Sequence, residues 1–499
     1  MDIALLLNMA AEAAPERIAL TSGGRHWSYA DLWAAATGAA AEIAASGCTH
    51  VALLDTSGVA APIALFGAAL AGAPYCPLNY RLADADLTAL LARIEPAFVV
   101  GDAARVGALA PGAQHKTFTS ETFVATACAG ADPDWESRAE SDRVAVQLFT
   151  SGTTAAPKAA ILRHSNLASY ILGTVEFGNA DAADAALLSV PPYHVAGIAA
   201  LLSSVYALRR IVFLPSFEPA AWLDLCARER VTQAFVVPTM LSRIVEESNQ
   251  RAGAGGFTHL RGLSYGGGRM PLDLIGRALD LFPNTAFTNA YGLSETSSTI
   301  ALLGPEDHRA AHGSNDPRVR ARLGSVGKPL PTIELQIRDE SGVVLPAGAS
   351  GEVYVRGDQV SGEYRERVAL DAEGWFPTRD AGYLDEDGYL FLSGRADDVI
   401  VRGGENMSPG EIEDVLLTHP AIVDAAAVGV PSAEWGEAVA VAIVVNGQAP
   451  SDEDVREHVR ARLRSSRVPE RILRLDALPY NEMGKLLRRE VKRLLDAAS

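Results

Sequence analysis

Over the first 300 residues, short apolar runs alternate with helix-like segments, and this rhythm limits the fold more than any other feature of the chain. Val51–Asp55, Ala97–Gly101, Val144–Thr150, Ala185–Pro191, Ile211–Pro215 and Gln233–Pro238 read as strands. Ser28–Ser46, Pro62–Ala71, Ser165–Glu176, Pro219–Arg230 and Met240–Arg251 read as the helices between them. That rhythm suggests α/β layers with largely parallel sheets. The longest apolar run, Val59–Ala73, is too short to span a bilayer and reads as a buried helix. Pro305–Arg322 is charged and aperiodic, which predicts an exposed loop.

Beyond about Gly324 the texture changes. Glu334–Asp339 and Glu352–Arg356 alternate in polarity and are broken by Ser-Gly and Ala-Gly turns, as small antiparallel sheets are. A compact C-terminal unit begins near Arg395. Its first helix has a readable start, with Ser408 as N-cap, Pro409 at the first helical position and Glu411 closing a capping box. Further helices are expected at about Glu453–Arg464 and Leu486–Leu495. The reading is a multidomain α/β and α+β chain. Residues 1–395 form a large unit of αβ-layered sheets plus a small β-barrel, and residues 396–499 form a small, mobile α+β unit.

Composition narrows the partners. At 499 residues the chain can bury large cores, and its 48% apolar and 21% charged content is that of a globular protein. A net charge of −18 argues against a nucleic-acid or anionic-membrane surface, so any phosphate binding must come from a local loop. Cys48, Cys76, Cys128 and Cys226 are scattered without metal-ligand spacing, which suits reduced, mostly buried thiols in a cytoplasm. Asp2 stands where a signal peptide carries a basic residue, so no targeting segment is expected.

Gln147–Lys158 reads QLFTSGTTAAPK. An apolar run passes into hydroxyls and small residues and ends on one lysine. Such a loop offers backbone N–H groups, the hydroxyls of Thr150, Ser151, Thr153 and Thr154, and the charge of Lys158 to a polyphosphate. It is not a Walker loop, because Pro157 and Ala159 occupy the places that need Gly and Ser/Thr. A polar surface turn would carry the same composition. Later segments fit as partners. Tyr291–Thr296, YGLSET, places a carboxylate and two hydroxyls after a strand, suited to a magnesium ion and a phosphate. Trp375–Tyr383, WFPTRDAGY, offers Asp380 to both hydroxyls of a ribose, although the same aspartate could cap a turn. Gly394–Glu413 reads GRADDVIVRGGENMSPGEIE, and Leu478–Leu486, LPYNEMGKL, carries Lys485 on a Gly turn.

Together, in this order and spacing, these segments resemble the adenylate-forming superfamily of acyl-CoA synthetases, peptide-synthetase adenylation domains and luciferases. The resemblance runs from Ser28 to Lys492 and points most to bacterial fatty-acyl-CoA ligases and coumarate-CoA ligases, through RGGENMSPGEIE and EWGE. It implies the following roles. Thr150, Ser151, Gly152, Thr153, Thr154 and Lys158 would hold the β- and γ-phosphates of ATP. Gly266, Gly267, Asn289, Ala290 and Tyr291 would frame the adenine. Thr296 would contact the α-phosphate and Glu295 the magnesium ion. Asp380 and Arg395 would bind the ribose, and Gly404 and Trp435 would line the coenzyme A tunnel. Asp397 would be the hinge between the large adenylation domain and the small lid domain. Lys485 would bridge the substrate carboxylate and the α-phosphate. His194, in PPYHVAG, would gate an acyl pocket walled by Tyr193, Val195, Ala196, Gly197, Gly268, Gly292, Ser297 and Ser298. Outside that context, His194 would read as a core histidine.

The chain departs from the family pattern at Ala155 and Ala159, which stand for Gly, at Arg379, which stands for the Gly before the ribose aspartate, and at Ser466, where an aromatic is usual. The implied reaction is attack of a carboxylate on the α-phosphorus of ATP, giving an acyl-adenylate and pyrophosphate, followed by displacement of AMP by a thiol. ATP, Mg2+ and coenzyme A are the implied cofactors. The small-residue wall suggests a medium- or long-chain fatty acid or an aryl acid rather than acetate. A carrier-protein phosphopantetheine is the alternative acceptor. Arg269 is expected to face solvent, with a second substrate carboxylate as its other reading. A nicotinamide site at YGGGRMP fails because Pro271 replaces the third Gly, and a non-catalytic nucleotide binder fits poorly with two lysines. Partners are then small molecules, without nucleic acid or an integral membrane segment; oligomeric state, a homodimer included, is open.

Overall fold

In a computed structural model of the chain, the alternation becomes two large sheets with helices between and around them. The structure describes all residues except 110–114, 133, 151–156, 252–258, 396–397, 404, 433, 482–485 and 499, and describes only the backbone of 405 and 406.

The first sheet has nine strands, in the order Lys328–Pro329, Ser298–Leu303, Ala286–Leu293, Gly262–Gly266, Gln233–Val236, Ala185–Leu188, Arg210–Phe213, Ile18–Ser22, Arg25–Ser28. Its interior is parallel and its edges are antiparallel. The second has eight strands, with Tyr75–Pro77, His50–Leu54, Ala97–Gly101 and Lys116–Thr119 parallel at one side. On the other side Val144–Thr150, Lys158–Arg163, Glu363–Tyr364 and Arg367–Val368 pair antiparallel.

The helices Tyr29–Ser46 and Ala60–Ala71 lie in one apolar cluster with residues of both sheets, among them Leu20, Ile211 and Phe213 of the first and Val51, Tyr75 and Leu148 of the second. Every residue from Ala60 to Leu70 is buried. A helix enclosed on all sides needs no polar face, which is why Val59–Ala73 reads as unbroken apolar sequence. Burial of Leu65, Phe66 and Leu70 contributes about 1.5–3 kcal/mol each.

After Gly324, where the sequence predicts a small β-barrel, four strands pair as an antiparallel sheet, Glu334–Arg338, Gly351–Arg356, Phe376–Leu384 and Leu390–Arg395. Its Val353, Val355 and Phe376 pack on Ile300 of the nine-stranded sheet. In the C-terminal unit the strand Gly436–Val445 alternates strictly. Val439, Val441 and Ile443 pack with Ile412, Leu416 and Val455, while Ala438, Ala440 and Ala442 pack with Val491 and Leu495.

Three expectations are corrected. Residues 305–322 are not a loop, since Pro305–Gly313 and Pro317–Ala321 are helices. Each has Pro at its start, and in the first only His308 and Ala311 are buried, a stripe too narrow to show as periodicity. Ser408 does precede the helix Pro409–Leu417, but its hydroxyl donates to the Ser393 carbonyl (2.8 Å) and makes no cap, while Glu411 pairs with Arg467 (3.4 Å). Of the thiols, Cys76 and Cys226 are buried, but Cys128 is exposed.

Candidate active site

Several of the expected site residues sit at the carboxyl ends of strands, where open α/β sheets place their ligands. Thr150 ends Val144–Thr150, Gly266 ends Gly262–Gly266, and Tyr291 and Gly292 lie near the carboxyl end of the strand Ala286–Leu293. Thr150 pairs across with Lys158, which opens the next strand, so the hydroxyl-rich segment is a connection within an antiparallel pair. Ser151, Gly152, Thr153, Thr154, Gly404, Lys485 and the hinge residue Asp397 lie outside the described residues.

The hairpin of Ala286–Leu293 with Ser298–Leu303 is closed by a single turn, Ser294–Thr296. At Gly292 a Cβ would lie 1.8 Å from the Ser298 carbonyl oxygen, so only glycine lets the two backbones approach. Ser297 leaves the turn in the left-handed region (φ 57°), with a buried hydroxyl that meets no partner among the described residues. The Thr296 hydroxyl, which the resemblance assigns to the α-phosphate, is fully buried and spent within the turn. It accepts from the Leu293 N–H (3.0 Å) and lies 2.8 Å from the Ser298 carbonyl, with the Leu293 carbonyl at 3.1 Å.

Glu295 is buried at the turn, and its Oε1 accepts a hydrogen bond from the Tyr364 hydroxyl at 2.6 Å. The Lys158 ammonium lies 5.7 Å from the centre of the Tyr364 ring, within cation–π range. Burial, and then the Glu295 charge, push the Tyr364 hydroxyl far above the usual phenol range, so it stays a donor. Tyr364 is the residue that sequence reasoning missed. It lies in SGEYRER, between the recognised segments and without a pattern of its own.

A second group forms beside it. The Tyr291 hydroxyl donates to Asp380 Oδ2 at 2.6 Å, and Arg395 approaches Asp380 Oδ1 at 3.3 Å. Burial and the Asp380 charge hold Tyr291 protonated. Asp380 and Arg395 face each other across paired strands. The register slips just before Asp380, since Glu352 pairs with Ala381 and Tyr354 with Pro377. The bulged Arg379 takes a left-handed backbone (φ 63°), and such bulges re-aim the side chain that follows. This is the position where the family pattern implied by the sequence resemblance calls for Gly. The Asn289 side chain faces inward and donates to the Ser325 carbonyl (3.1 Å), bracing the strand beside Ala290. Gly266 pairs in register with Ala290, and Gly267 follows with φ 79°.

His194 precedes the helix Val195–Tyr206, its ring 4.4 Å from that of Tyr193. Burial, with Arg81 as a lesser cause, lowers its pKa to about 4, so it is neutral at ordinary pH. Its Nε2 is buried and meets no partner among the described residues. Behind it, Gly197, Ile198 and Leu201 line a small apolar pocket with Leu65, Leu188 and Phe213. Gly268 packs near Pro238, and Ser298 lies on the strand after the turn.

In the small unit the exposed Trp435 accepts from the Gly403 N–H (2.8 Å) through its carbonyl, and Arg402 lies over its ring (5.5 Å). Arg269 does not face solvent alone, because its guanidinium pairs with Asp414 on the helix Pro409–Leu417. That pairing joins the large and small units.

Among the described residues no three metal-ligating side chains meet. A magnesium ion that brings its own phosphate oxygens and waters needs only one or two carboxylates. Glu295 fits that need, since Oε2 accepts no hydrogen bond from any described residue while Oε1 is held by Tyr364.

Comparison with known proteins gives matches over almost the whole length. The profile of the AMP-binding enzymes matches residues 7–365, and that of the AMP-binding enzyme C-terminal domain matches residues 411–485. A fatty acid–[acyl-carrier-protein] ligase of Streptomyces coeruleorubidus is 34% identical over 86% of this chain and 83% of its own length. The o-succinylbenzoate CoA synthetase of Bacillus subtilis with its acyl-adenylate intermediate superposes with a TM-score of 0.84, at 28% identity, over 98% of this chain and 97% of that one. The same synthetase with ATP and a magnesium ion superposes at 0.83, again 28% identical, over 98% and 99%.

Proposed function

The chain belongs to the AMP-binding enzymes and is an AMP-forming acid–thiol ligase, and we propose that it joins a medium- or long-chain fatty acid or an aryl acid to coenzyme A. The observation that carries this reading is the convergence of two groups at the strand ends, Lys158–Tyr364–Glu295 and Tyr291–Asp380–Arg395. The first offers a cation and an anion to a metal-bound triphosphate. The second offers a carboxylate to ribose hydroxyls, with Tyr291 beside it to frame the base.

A carboxylate reacts poorly with a thiol because its leaving group would be oxide. Transfer to the α-phosphorus makes AMP the leaving group. Bound magnesium would offset negative charge on the phosphates. Lys158 would take the β- and γ-phosphates, and Lys485 would bridge the substrate carboxylate and the α-phosphate. Asp380 and Arg395 fix the nucleotide, and neutral His194 closes the acyl side. Gly404 and Trp435 would line the thiol's approach, and Asp397 would be the hinge between residues 1–395 and 396–499.

Arg269 is engaged by Asp414, which supports an acid with one carboxylate. The Streptomyces relative named for a carrier protein favours a second reading, in which the thiol belongs to carrier-bound phosphopantetheine.

Acid-dependent pyrophosphate release, followed by AMP formation with coenzyme A or with a loaded carrier, tests the reading across a panel of acids. Lys485→Ala is expected to lower pyrophosphate release by about 10²-fold or more, while thioester formation from supplied acyl-adenylate persists. Equal loss of both steps would refute that division of labour.

A further inference from the structure

We propose that Tyr364 is the positioning residue of the adenylation site, holding the metal-binding carboxylate of Glu295 by its hydroxyl and the Lys158 ammonium by its ring. The inference rests on the roles given above to Glu295 and Lys158. Both contacts follow from strand register. Glu363–Tyr364 pairs antiparallel with Lys158–Arg163, with Tyr364 opposite Ala160. Lys158, two residues from Ala160, is on the same face and diagonal to Tyr364, within reach of an aromatic ring.

The residues before Tyr364 are stitched to both neighbours. Ser361 and Gly362 donate their N–H groups to the Glu295 carbonyl (2.9 and 3.1 Å). Gln359 Nε2 donates to the carbonyls of Thr296 (3.1 Å) and Thr299 (2.8 Å). On the other side Arg163 grips Glu363 through two bonds, at 2.9 and 2.8 Å. The ring is therefore fixed between the turn that carries Glu295 and the strand that carries Lys158.

The choice of a phenol has a physical reason. Glu295 and Lys158 carry opposite charges, and an ion pair between them would quench both. Among the described residues Lys158 makes no ion pair, and the Tyr364 ring stands at its side instead. A neutral donor steadies the carboxylate without cancelling its charge. A ring face steadies the ammonium in the same way. The hydroxyl uses Oε1, so Oε2 remains for the metal. Groups that hold a ligating carboxylate from behind commonly govern metal affinity by 10–100-fold.

The experiment uses the full chain, Mn2+ as the probe and α,β-methylene-ATP as the unreactive nucleotide, with free Mn2+ read by electron paramagnetic resonance. Tyr364→Phe removes one hydroxyl and keeps the ring. It is expected to raise the Mn2+ midpoint about 10-fold or more, with metal-free nucleotide affinity unchanged. Tyr364→Leu removes the ring as well and is expected to weaken metal-free nucleotide binding too. A Mn2+ midpoint in Tyr364→Phe within about two-fold of the parent, against the change that such contacts bring, would overturn the proposal. So would an equal loss of metal-free nucleotide binding in that variant, the mark of a packing role. No acid is present, so a protein that binds Mn2+ and nucleotide as expected but releases no pyrophosphate with any acid would count against the proposed function alone.

Discussion

At Arg379 the backbone pays for the aim of its neighbour. A left-handed conformation costs a residue with a Cβ roughly 1–2 kcal/mol, and glycine returns part of this through a looser unfolded chain. Its only ion-pair partner among the described residues is Glu352 at 3.8 Å, with the arginine well exposed, which adds little. Arg379→Gly is therefore expected to stabilise the protein by about 0.5–1 kcal/mol, read as a higher urea midpoint; an unchanged or lower midpoint would show that the bulge carries no strain. Two histidines act in the opposite direction through pH. Burial lowers both His164 and His194 to about 4. The unfolded chain binds their protons near pH 6.5 and the folded chain refuses them, so stability is complete above that value and is lost as pH falls toward 4. Each contributes on the order of 3 kcal/mol to that loss. His164 also accepts the Ile3 N–H at 3.4 Å. His164→Gln is expected to be less stable than the parent at pH 7.5 and to narrow the gap at pH 5, measured by urea unfolding. A constant gap would mean that His164 titrates alike in both states.

At the scale of elements, the hairpin of Ala286–Leu293 with Ser298–Leu303 presents Glu295, and its closeness depends on Gly292. A methyl group there meets backbone, which cannot rotate away. Gly292→Ala is expected to destabilise by about 1–3 kcal/mol and to reduce pyrophosphate release more than its melting temperature alone would predict, because the carboxylate is displaced. Gly107→Ala, in the helix Ala103–Leu109 with open space around it, is the comparison. It should be neutral or stabilising by up to about 1 kcal/mol. Similar behaviour of the two variants would show that the hairpin tolerates separation.

For the whole molecule the question is how one site serves two reactions. The strand Leu390–Arg395 belongs to the sheet that presents Asp380, and Ile400–Arg402 belongs to the small unit, so a hinge of the proposed kind would fall between them. The Arg269–Asp414 pair between the units is partly exposed and contributes at most about 1 kcal/mol, too little to prevent movement. Asp397→Pro fixes φ near −65° and removes a donor. With the adenylating pose locked, single-turnover pyrophosphate release is expected to survive while thioester formation collapses and adenylate accumulates on the enzyme. Thioester formation at the parent rate would remove Asp397 as the hinge. No helix among the described residues is long and apolar enough to cross a membrane.

Local sequence determined the elements whose signal is local. Ala97–Gly101 and Val144–Thr150 form the strands that their apolar runs announce, and the all-apolar Val59–Ala73 contains the most enclosed helix. It also determined the chemistry on offer, since Lys158, Glu295, Tyr291 and Asp380 stand in segments whose composition suits a nucleotide. Packing decided the rest. The Pro305–Gly313 helix buries too little for a periodicity, and its buried His308 is held at one ring nitrogen by the local Gly304 carbonyl and at the other by the distant Tyr265 hydroxyl, each 2.8 Å away. Ser408 has the identity of a cap, but the Ser393 carbonyl of the large unit takes its hydroxyl. Arg269 finds a partner 145 residues along the chain, and Tyr364 meets Glu295 from 69 residues away. Propensity and spacing act over a few residues, whereas which donor meets which acceptor is set by strand register and by the sheets that bring distant segments together. The fold class was therefore written in the sequence, and the arrangement that makes Lys158, Tyr364 and Glu295 one group was decided only by the tertiary structure.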